Sequence, residues 1–115
     1  MLTVTFENDG KKLTLKLKGH AGQADIGRDI VCAATSILTY TVAQIVKYES
    51  KNGGLKNPPT IKLKKGNAIV SCEPTEEKYA ELLHSYCVAE VGYTLIQHNY
   101  PQYVELKMFG TESNP

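Results

Sequence analysis

The sequence has no disulfide framework, no excess of charge and no long apolar run. Its three cysteines, Cys32, Cys72 and Cys87, are an odd number and form no C-x-x-C pair. We therefore expect free thiols in a reducing, cytoplasmic compartment. Thirteen basic and twelve acidic side chains leave a formal charge of +1, which makes a nucleic-acid partner unlikely on electrostatic grounds.

A membrane partner is not expected either. No run of eighteen apolar residues occurs, and residues 1–10 lack the basic and apolar regions of a secretory signal. The chain has 115 residues, of which 42% are hydrophobic and 22% charged. These values predict one globular domain over residues 1–115, with residues 111–115 as a flexible tail.

Hydrophobic periodicity predicts seven elements. Alternating apolar and polar residues indicate strands at 2–7, 13–18, 60–64, 68–72 and 103–109, the last with Val104, Leu106 and Met108 inward. Helices are predicted from about Asp29 to residue 50 and from about Thr75 to residue 99. The order ββαββαβ predicts an α+β two-layer sandwich: a mostly antiparallel or mixed sheet with two helices packed on one face.

Each predicted helix has an apolar face. In the first helix the apolar arc comprises Ile30, Val31, Ala34, Ile37, Leu38, Val42, Ile45 and Val46. Cys32, Ser36, Thr39, Ala43 and Lys47 lie on its opposite side. In the second helix the apolar face comprises Tyr79, Leu82, Leu83, Tyr86, Cys87 and Val91. Cys72 and Cys87 are therefore interpreted as structural residues.

A histidine and a cysteine are joined by a glycine-containing loop in residues 19–36. His20 follows the second strand, and Cys32 falls in the predicted first turn of the helix. A helix N-terminus and a nearby imidazole both favour the thiolate, which is the nucleophile. The backbone N–H groups of Cys32 and Ala33 could receive the negative oxygen of a tetrahedral intermediate.

The same residues also have structural interpretations. A cysteine followed by alanines is usually a packing residue, but the small residues around Cys32 could also border a groove. Asp29 more often caps a helix than orients an imidazole. Ser36 could donate a hydrogen bond into the site, or bond to the preceding helical turn. Ala21, Gly22 and Gly27 belong to the mobile loop that would gate access.

The stretch also resembles a known family. Gly-His-Ala, a glycine-containing loop, and Gly-x-Asp-Ile-Val-Cys-Ala-Ala-x-Ser are similar to the signature of the bacterial ribosomal-processing cysteine proteases. The resemblance implies that Cys32 is the nucleophile, that His20 is the base, and that the loop closes over a peptide. It also implies a homodimer. Gly22 and Ala34 depart from the usual pattern, which commonly has an acidic residue and a glycine there.

The family resemblance implies a reaction as well. Members remove an N-terminal extension from a large-subunit ribosomal protein, cutting beside an aromatic residue. Some relatives are encoded by phages, for which capsid or scaffold proteins are possible substrates. The expected function is therefore that of a cysteine endopeptidase acting on a protein or peptide substrate.

A different class of protein remains open. Lys16 and Lys18 share one strand face, and Lys62 and Lys64 share another. They could dock a non-catalytic module on ribosomal RNA or an acidic partner, although such lysines are more often a solvated face. His84 and Cys87 are three residues apart, but two ligands do not make a metal site. We expect neither a metal nor another cofactor.

Overall fold

The computed structural model describes residues 1–19 and 26–110, and the side chains of residues 1–19 and 30–109. The elements are β1 (Leu2–Asn8), β2 (Leu13–Gly19), α1 (Ile26–Lys51), β3 (Thr60–Lys64), β4 (Asn67–Cys72), α2 (Tyr79–Asn99) and β5 (Val104–Gly110). This order confirms the predicted α+β fold. The predicted tail at 111–115 lies outside the described residues.

The five strands form one mixed sheet in the order β3-β4-β2-β1-β5. β1 and β5 are parallel, and the other neighbours are antiparallel. The β1–β2 turn follows from its residues: the Asp9 carboxylate accepts hydrogen bonds from the N–H groups of Lys11 and Lys12 at 2.9 and 2.6 Å. Gly10 supplies the positive φ of 89° that this turn uses.

The core lies between one face of the sheet and the two helices. Val4, Leu15 and Val70 are completely buried on that face. Phe6 of β1 meets Tyr93 of α2 edge to face, with ring centroids 5.7 Å apart. Burial of large side chains from both layers makes this contact surface the main source of hydrophobic stabilisation.

The buried face of α1 is rotated from the predicted apolar arc. Thr35 and Thr39 are 2% exposed, whereas Ile30 and Ile37 are exposed. The predicted placement of Ile30 and Ile37 in the core is therefore wrong. The helix packs against its neighbours through smaller side chains, such as those of Thr35 and Thr39. Part of the predicted aliphatic arc therefore lies outside the core.

The faces of α2 and β5 also differ in part from prediction. Leu82 and Tyr86 are buried as expected, but Cys87 and Val91 are exposed. Tyr93 and Ala89 complete the buried face instead. In β5, Val104 is buried, whereas Met108 is 52% exposed, because it lies near the end of an edge strand where the helices give less cover.

Both helices begin at different residues from those predicted. α1 begins at Ile26, so Gly27 lies in its first turn and Asp29 lies inside the helix. Asp29 is therefore not in the predicted N-cap position. α2 begins at Tyr79, and a turn separates it from Thr75. The Thr75 hydroxyl accepts a hydrogen bond from the Lys78 N–H at 3.3 Å, so this threonine caps the turn before the helix.

The helix α1 also has the length and apolar composition of a membrane span over Ile30–Lys51, although no run of eighteen apolar residues is present. One third of the apolar window is buried within the fold. Core helices of globular proteins satisfy the same criterion. The exposed part contains Ile30, Ile37, Tyr40 and Tyr48.

Candidate active site

A groove of about 680 Å³ opens at one end of the sheet, beside the first half of α1. We call this the groove end of the molecule. Six residues of α1 line it: Val31, Cys32, Thr35, Ser36, Thr39 and Tyr40. The other lining residues come from the chain start, the end of β2, the β3–β4 turn and the start of β5: Met1, Leu2, Leu17, Gly19, Leu63, Lys64, Lys65, Gly66, Asn67, Ala68 and Tyr103.

The end of β2 reaches the groove through a glycine that no other residue can replace without strain. Gly19 has a φ of +136°, and a Cβ there would overlap the carbonyl oxygen of Met1. Its N–H donates to the carbonyl of Gly66 at 3.2 Å. The next residue is His20, which lies outside the described residues together with Ala21 and Gly22. Gly19 is the last described residue before that segment, and it lies on the groove wall.

Cys32 is half-buried and lines the groove, but it lies in the second turn of α1. The expectation that it occupies the first turn is wrong because the helix begins at Ile26. The first four N–H groups of a helix have no partner within it, and those of Cys32 and Ala33 come after them. In this conformation the two N–H groups belong to the helical hydrogen-bond ladder.

A chain of hydroxyl groups under the groove was missed from the sequence. The Thr35 hydroxyl donates to the carbonyls of Val31 and Cys32 at 2.8 and 3.2 Å. The Thr39 hydroxyl donates to the carbonyl of Thr35 at 2.7 Å. The hydroxyls of Thr39 and Tyr93 are hydrogen-bonded to each other at 2.5 Å, and the Tyr93 hydroxyl also lies 3.4 Å from the Thr35 carbonyl, to which it can donate.

These hydroxyls connect α2 to the segment of α1 that carries Cys32. Thr35, Thr39 and Tyr93 are at most 2% exposed, and burial raises the pKa of Tyr93, so its hydroxyl keeps its proton. The spacing of Thr35 and Thr39, four residues apart on one helical face, was visible in the sequence. Tyr93, their hydrogen-bond partner on α2, could not be predicted, because no local sequence pattern pairs it with these threonines.

The other two cysteines are separated from the groove. Cys72 is 2% exposed at the opposite end of β4, where its sulfur lies 3.6 Å from the Tyr86 hydroxyl. Burial raises the pKa of the Cys72 thiol. The structural interpretation of Cys72 is therefore supported, whereas Cys87 lies on the exposed side of α2.

Ser36 lines the groove with Cys32. Within residues 1–19 and 26–110 no group of three or more His, Cys, Asp or Glu residues could hold a metal ion.

A half-buried thiol on the wall of an open groove, in a small α+β sandwich, has the access to a peptide that a cysteine nucleophile of a hydrolase requires. The comparison with known families makes the assignment specific. The family model "Cysteine protease Prp" matches residues 1–105, and the chain belongs to this family of cysteine proteases. The resemblance seen in residues 19–36 is thereby confirmed.

Solved structures share the fold. A protein of Streptococcus mutans, SMU.848, is similar with a TM-score of 0.72 and 23% identity, covering 96% of each chain. The essential ribosomal processing protease Prp from S. aureus, in complex with a substrate peptide, has a TM-score of 0.68 and 19% identity over 94% of this chain and 99% of that chain. The same S. aureus protease with a covalently linked product peptide gives 0.66 and 21%, with the same coverage. No curated protein matches the chain.

Proposed function

We propose that the chain is a cytoplasmic cysteine endopeptidase that removes an N-terminal extension from a large-subunit ribosomal protein, with Cys32 as nucleophile and His20 as base. One observation carries the assignment of the nucleophile: among the three cysteines, it is Cys32 that lines the 680 Å³ groove. The S. aureus relative, described as a ribosomal processing protease, supports the substrate class. A phage capsid or scaffold protein is the alternative substrate.

In the proposed reaction His20 takes the proton of the Cys32 thiol, and the sulfur attacks a backbone carbonyl of an extended peptide. The tetrahedral intermediate collapses as His20 gives its proton to the leaving amine, which leaves a thioester on Cys32. Water, deprotonated by His20, then attacks the thioester and releases the acid product and the thiol. His20 passes the first proton to the leaving amine and the second, taken from water, to the Cys32 sulfur, so the dyad returns to its starting state.

The proposed oxyanion donors require a rearrangement of α1. The N–H groups of Cys32 and Ala33 become available only when the helix begins later, near Asp29. We therefore propose that the first turn of α1, which contains Gly27, unwinds when substrate binds, together with movement of a gating loop that includes Ala21 and Gly22. Asp29 would then lie at the new helix start, where it could cap the helix or orient His20.

Ser36 is proposed as a supporting residue. It lies one helical turn after Cys32 and lines the same groove, so its hydroxyl is within the region a bound peptide would occupy. A hydrogen bond from Ser36 to the substrate backbone would orient the scissile carbonyl. Replacement of Ser36 by alanine should reduce the cleavage rate less than replacement of Cys32, which removes the nucleophile itself.

The experiment that tests the function is intact-mass analysis of an N-terminally extended ribosomal protein after incubation with the enzyme. A single loss of the extension is expected from the unmodified enzyme and from Cys87→Ser, the control at an exposed cysteine away from the groove. Cys32→Ala should show no cleavage while keeping its thermal stability. Normal cleavage by Cys32→Ala would refute the assignment of the nucleophile.

We also propose that two copies of the chain associate through the outward side of the helices. The exposed apolar side chains of α1 and α2 support this: Ile30, Ile37, Tyr40, Tyr48, Val88, Val91 and Leu95. Large exposed apolar patches on soluble proteins commonly mark protein interfaces. Sedimentation should give a dimer, and Val91→Asp should shift it towards monomer. A monomer at all concentrations of the unmodified chain would exclude the homodimer.

A further inference from the structure

The sheet has a second face, turned away from the helices, which we call the outer face. Strand register arranges its side chains in rows that cross all five strands. One row runs Lys62, Ile69, Lys16, Thr5 and Lys107. The next runs Lys64, Asn67, Lys18, Thr3 and Glu105. The lysine pairs seen in the sequence therefore belong to a single surface, which the protease chemistry does not use.

Charge is unevenly divided between this face and the remainder of the chain. The outward positions of the strands carry five lysines, at 16, 18, 62, 64 and 107, against the two glutamates Glu7 and Glu105. The face thus has three positive charges in excess, whereas the whole chain has a formal charge of +1. The residues outside the face must therefore carry two negative charges in excess, so the near-neutral total conceals a local basic surface.

The lysines of the face are accessible. Lys18, Lys62, Lys64 and Lys107 are exposed. Lys16 forms an ion pair with Glu7 at 3.5 Å, but both side chains are about 40% exposed, and a pair in that environment contributes little stability. A stronger anion can therefore compete for Lys16 at small cost.

The composition of the face fits phosphate groups better than it fits the apolar centre of a protein interface. Protein interfaces are depleted in lysine and enriched in aromatic residues, which describes the outward side of the helices. On the outer face, accessible hydroxyl and amide groups stand between the lysines: Thr3, Thr5 and Asn67. Lysine, threonine, serine and asparagine are the side chains that commonly contact nucleic-acid phosphates and sugars. The apolar side chains on this face are Ile69, which is half-buried, and Phe109 at the β5 edge.

We propose that the outer face of the sheet binds the phosphate backbone of RNA. In a sheet, neighbouring strands are about 4.8 Å apart, so Lys62, Lys16 and Lys107 are separated by roughly 10 Å steps across the surface. Contacts of this kind are independent of base sequence and weaken as salt increases. The face adds a binding function to the protease, and the choice of RNA rests on the proposed ribosomal substrate.

The outer face adjoins the groove at one corner. Lys64 belongs to a lysine row and also lines the groove. RNA held on the face would therefore lie beside the groove entrance, where a ribosomal protein still associated with its RNA could present its extension. The outward side of the helices lies in the opposite layer, so the proposed homodimer would leave both outer faces open.

The test measures binding of a fluorescein-labelled 20-nucleotide single-stranded RNA by anisotropy between 50 and 200 mM KCl. The protein carries Cys32→Ala, so that the result does not depend on cleavage. Lys62→Gln with Lys107→Gln removes two charges from the face and leaves the groove residue Lys64 unchanged. The control, Lys47→Gln with Lys51→Gln, removes two charges from exposed positions of α1.

We expect the face variant to bind at least about tenfold more weakly at 50 mM KCl and to lower the salt slope by about 1.4, since each phosphate contact to a single strand contributes about 0.7, while the control binds like the parent protein. Absence of RNA binding by the parent protein at 50 mM KCl, or an equal loss in the control, would overturn the proposal. Tighter binding of a polyglutamate peptide or of a DNA strand of the same length would also overturn it, in favour of an acidic protein or of DNA.

Discussion

The two ends of the molecule differ in how the same residue types are used. At the groove end, α1 presents Cys32 to open space, and Tyr93 of α2 is hydrogen-bonded to the threonines beneath it. At the opposite end, which we call the closed end, Cys72 is buried and Tyr86 of α2 contacts its sulfur. Both tyrosines lie on one face of α2, two helical turns apart.

At the closed end, backbone hydrogen bonds connect the loops that cover the core. The Gly54 N–H donates to the Glu49 carbonyl at 2.8 Å, and the Gly54 carbonyl accepts from Thr75 at 2.9 Å. The side chain of Glu49 is only 5% exposed under this loop. No comparable cover crosses the groove within the described residues. The comparison shows that a buried thiol and a groove thiol in one fold differ through what covers them, rather than through the elements that carry them.

The largest expected difference is in thiol alkylation. Iodoacetamide at pH 8 should modify Cys72 at least about a hundredfold more slowly than Cys32, because the Cys72 sulfur is buried and its raised pKa keeps it protonated as the thiol. Peptide mass spectrometry of the folded protein measures both rates. In denaturant the two rates should converge, and equal rates in the folded protein would contradict the assignment of Cys72 to the core.

The pH dependence of alkylation sharpens the same comparison. If His20 withdraws the proton of Cys32, alkylation of Cys32 at pH 6 should exceed that of both Cys72 and Cys87. Cys87, which is exposed outside the groove, provides the comparison for a cysteine that the reagent can reach. Modification of Cys32 and Cys87 at the same rate at pH 6 would indicate that groove exposure, and no dyad, accounts for the reactivity of Cys32.

Glycine substitutions compare the backbone at the two ends. Gly19→Ala should destabilise the protein by roughly 3 kcal/mol or more, because the new Cβ overlaps the Met1 carbonyl and φ is +136°. Gly54→Ala at the closed end meets the flexible side chain of Glu49 instead, and should cost about 1–2 kcal/mol. Urea unfolding measures both changes in the free energy of unfolding.

Gly53→Ala serves as the control for this pair. Its φ is +77°, and a Cβ there has open space around it, so it isolates the cost of the left-handed backbone, about 1 kcal/mol. A Gly19→Ala variant no less stable than Gly53→Ala would show that the start of β1 can move away from β2. The groove wall at Gly19 would then be adaptable rather than fixed.

Those features of the fold that depend on local residue patterns were predictable from the sequence. Strand alternation located all five strands within one or two residues, and β3 matches at both ends. The small residues on the Cys32 side of α1 were compatible with a groove or with close packing of a second layer, and both occur: Ser36 lines the groove, whereas Ala43 is buried. The start of α1 was misplaced because Gly27 and Arg28 were interpreted as loop residues, although helix formation extends through them. The rotation of α1, which exposes Ile37, depends on contacts with α2 and the sheet that no local pattern contains.

The site was predictable only in part, for the same reason. The sequence identified Cys32 and Ser36, which lie together on the groove wall. It did not identify Tyr93, because the contact between α2 and α1 joins residues 54 positions apart. It identified the pairs Lys16/Lys18 and Lys62/Lys64, but it did not show that they lie on one face, because that depends on the pairing of β2, β3 and β4.

Removing single hydroxyl groups compares the two ends at the level of one hydrogen bond. Tyr93→Phe and Tyr86→Phe each leave a buried acceptor without this donor, at about 1–3 kcal/mol. The Tyr86 hydroxyl donates to the Val70 carbonyl at 3.0 Å, so its loss should affect strand β4 of the sheet, which contains Val70. The Tyr93 hydroxyl acts on α1 through Thr39, so its loss should shift the backbone amide resonances near Cys32. If the two variants lose similar stability but Tyr93→Phe alone shifts the amide resonances near Cys32, the groove end is coupled to α2. Equal shifts at Cys32 in both variants would mean that the two ends are not independent, and that the core as a whole positions the nucleophile.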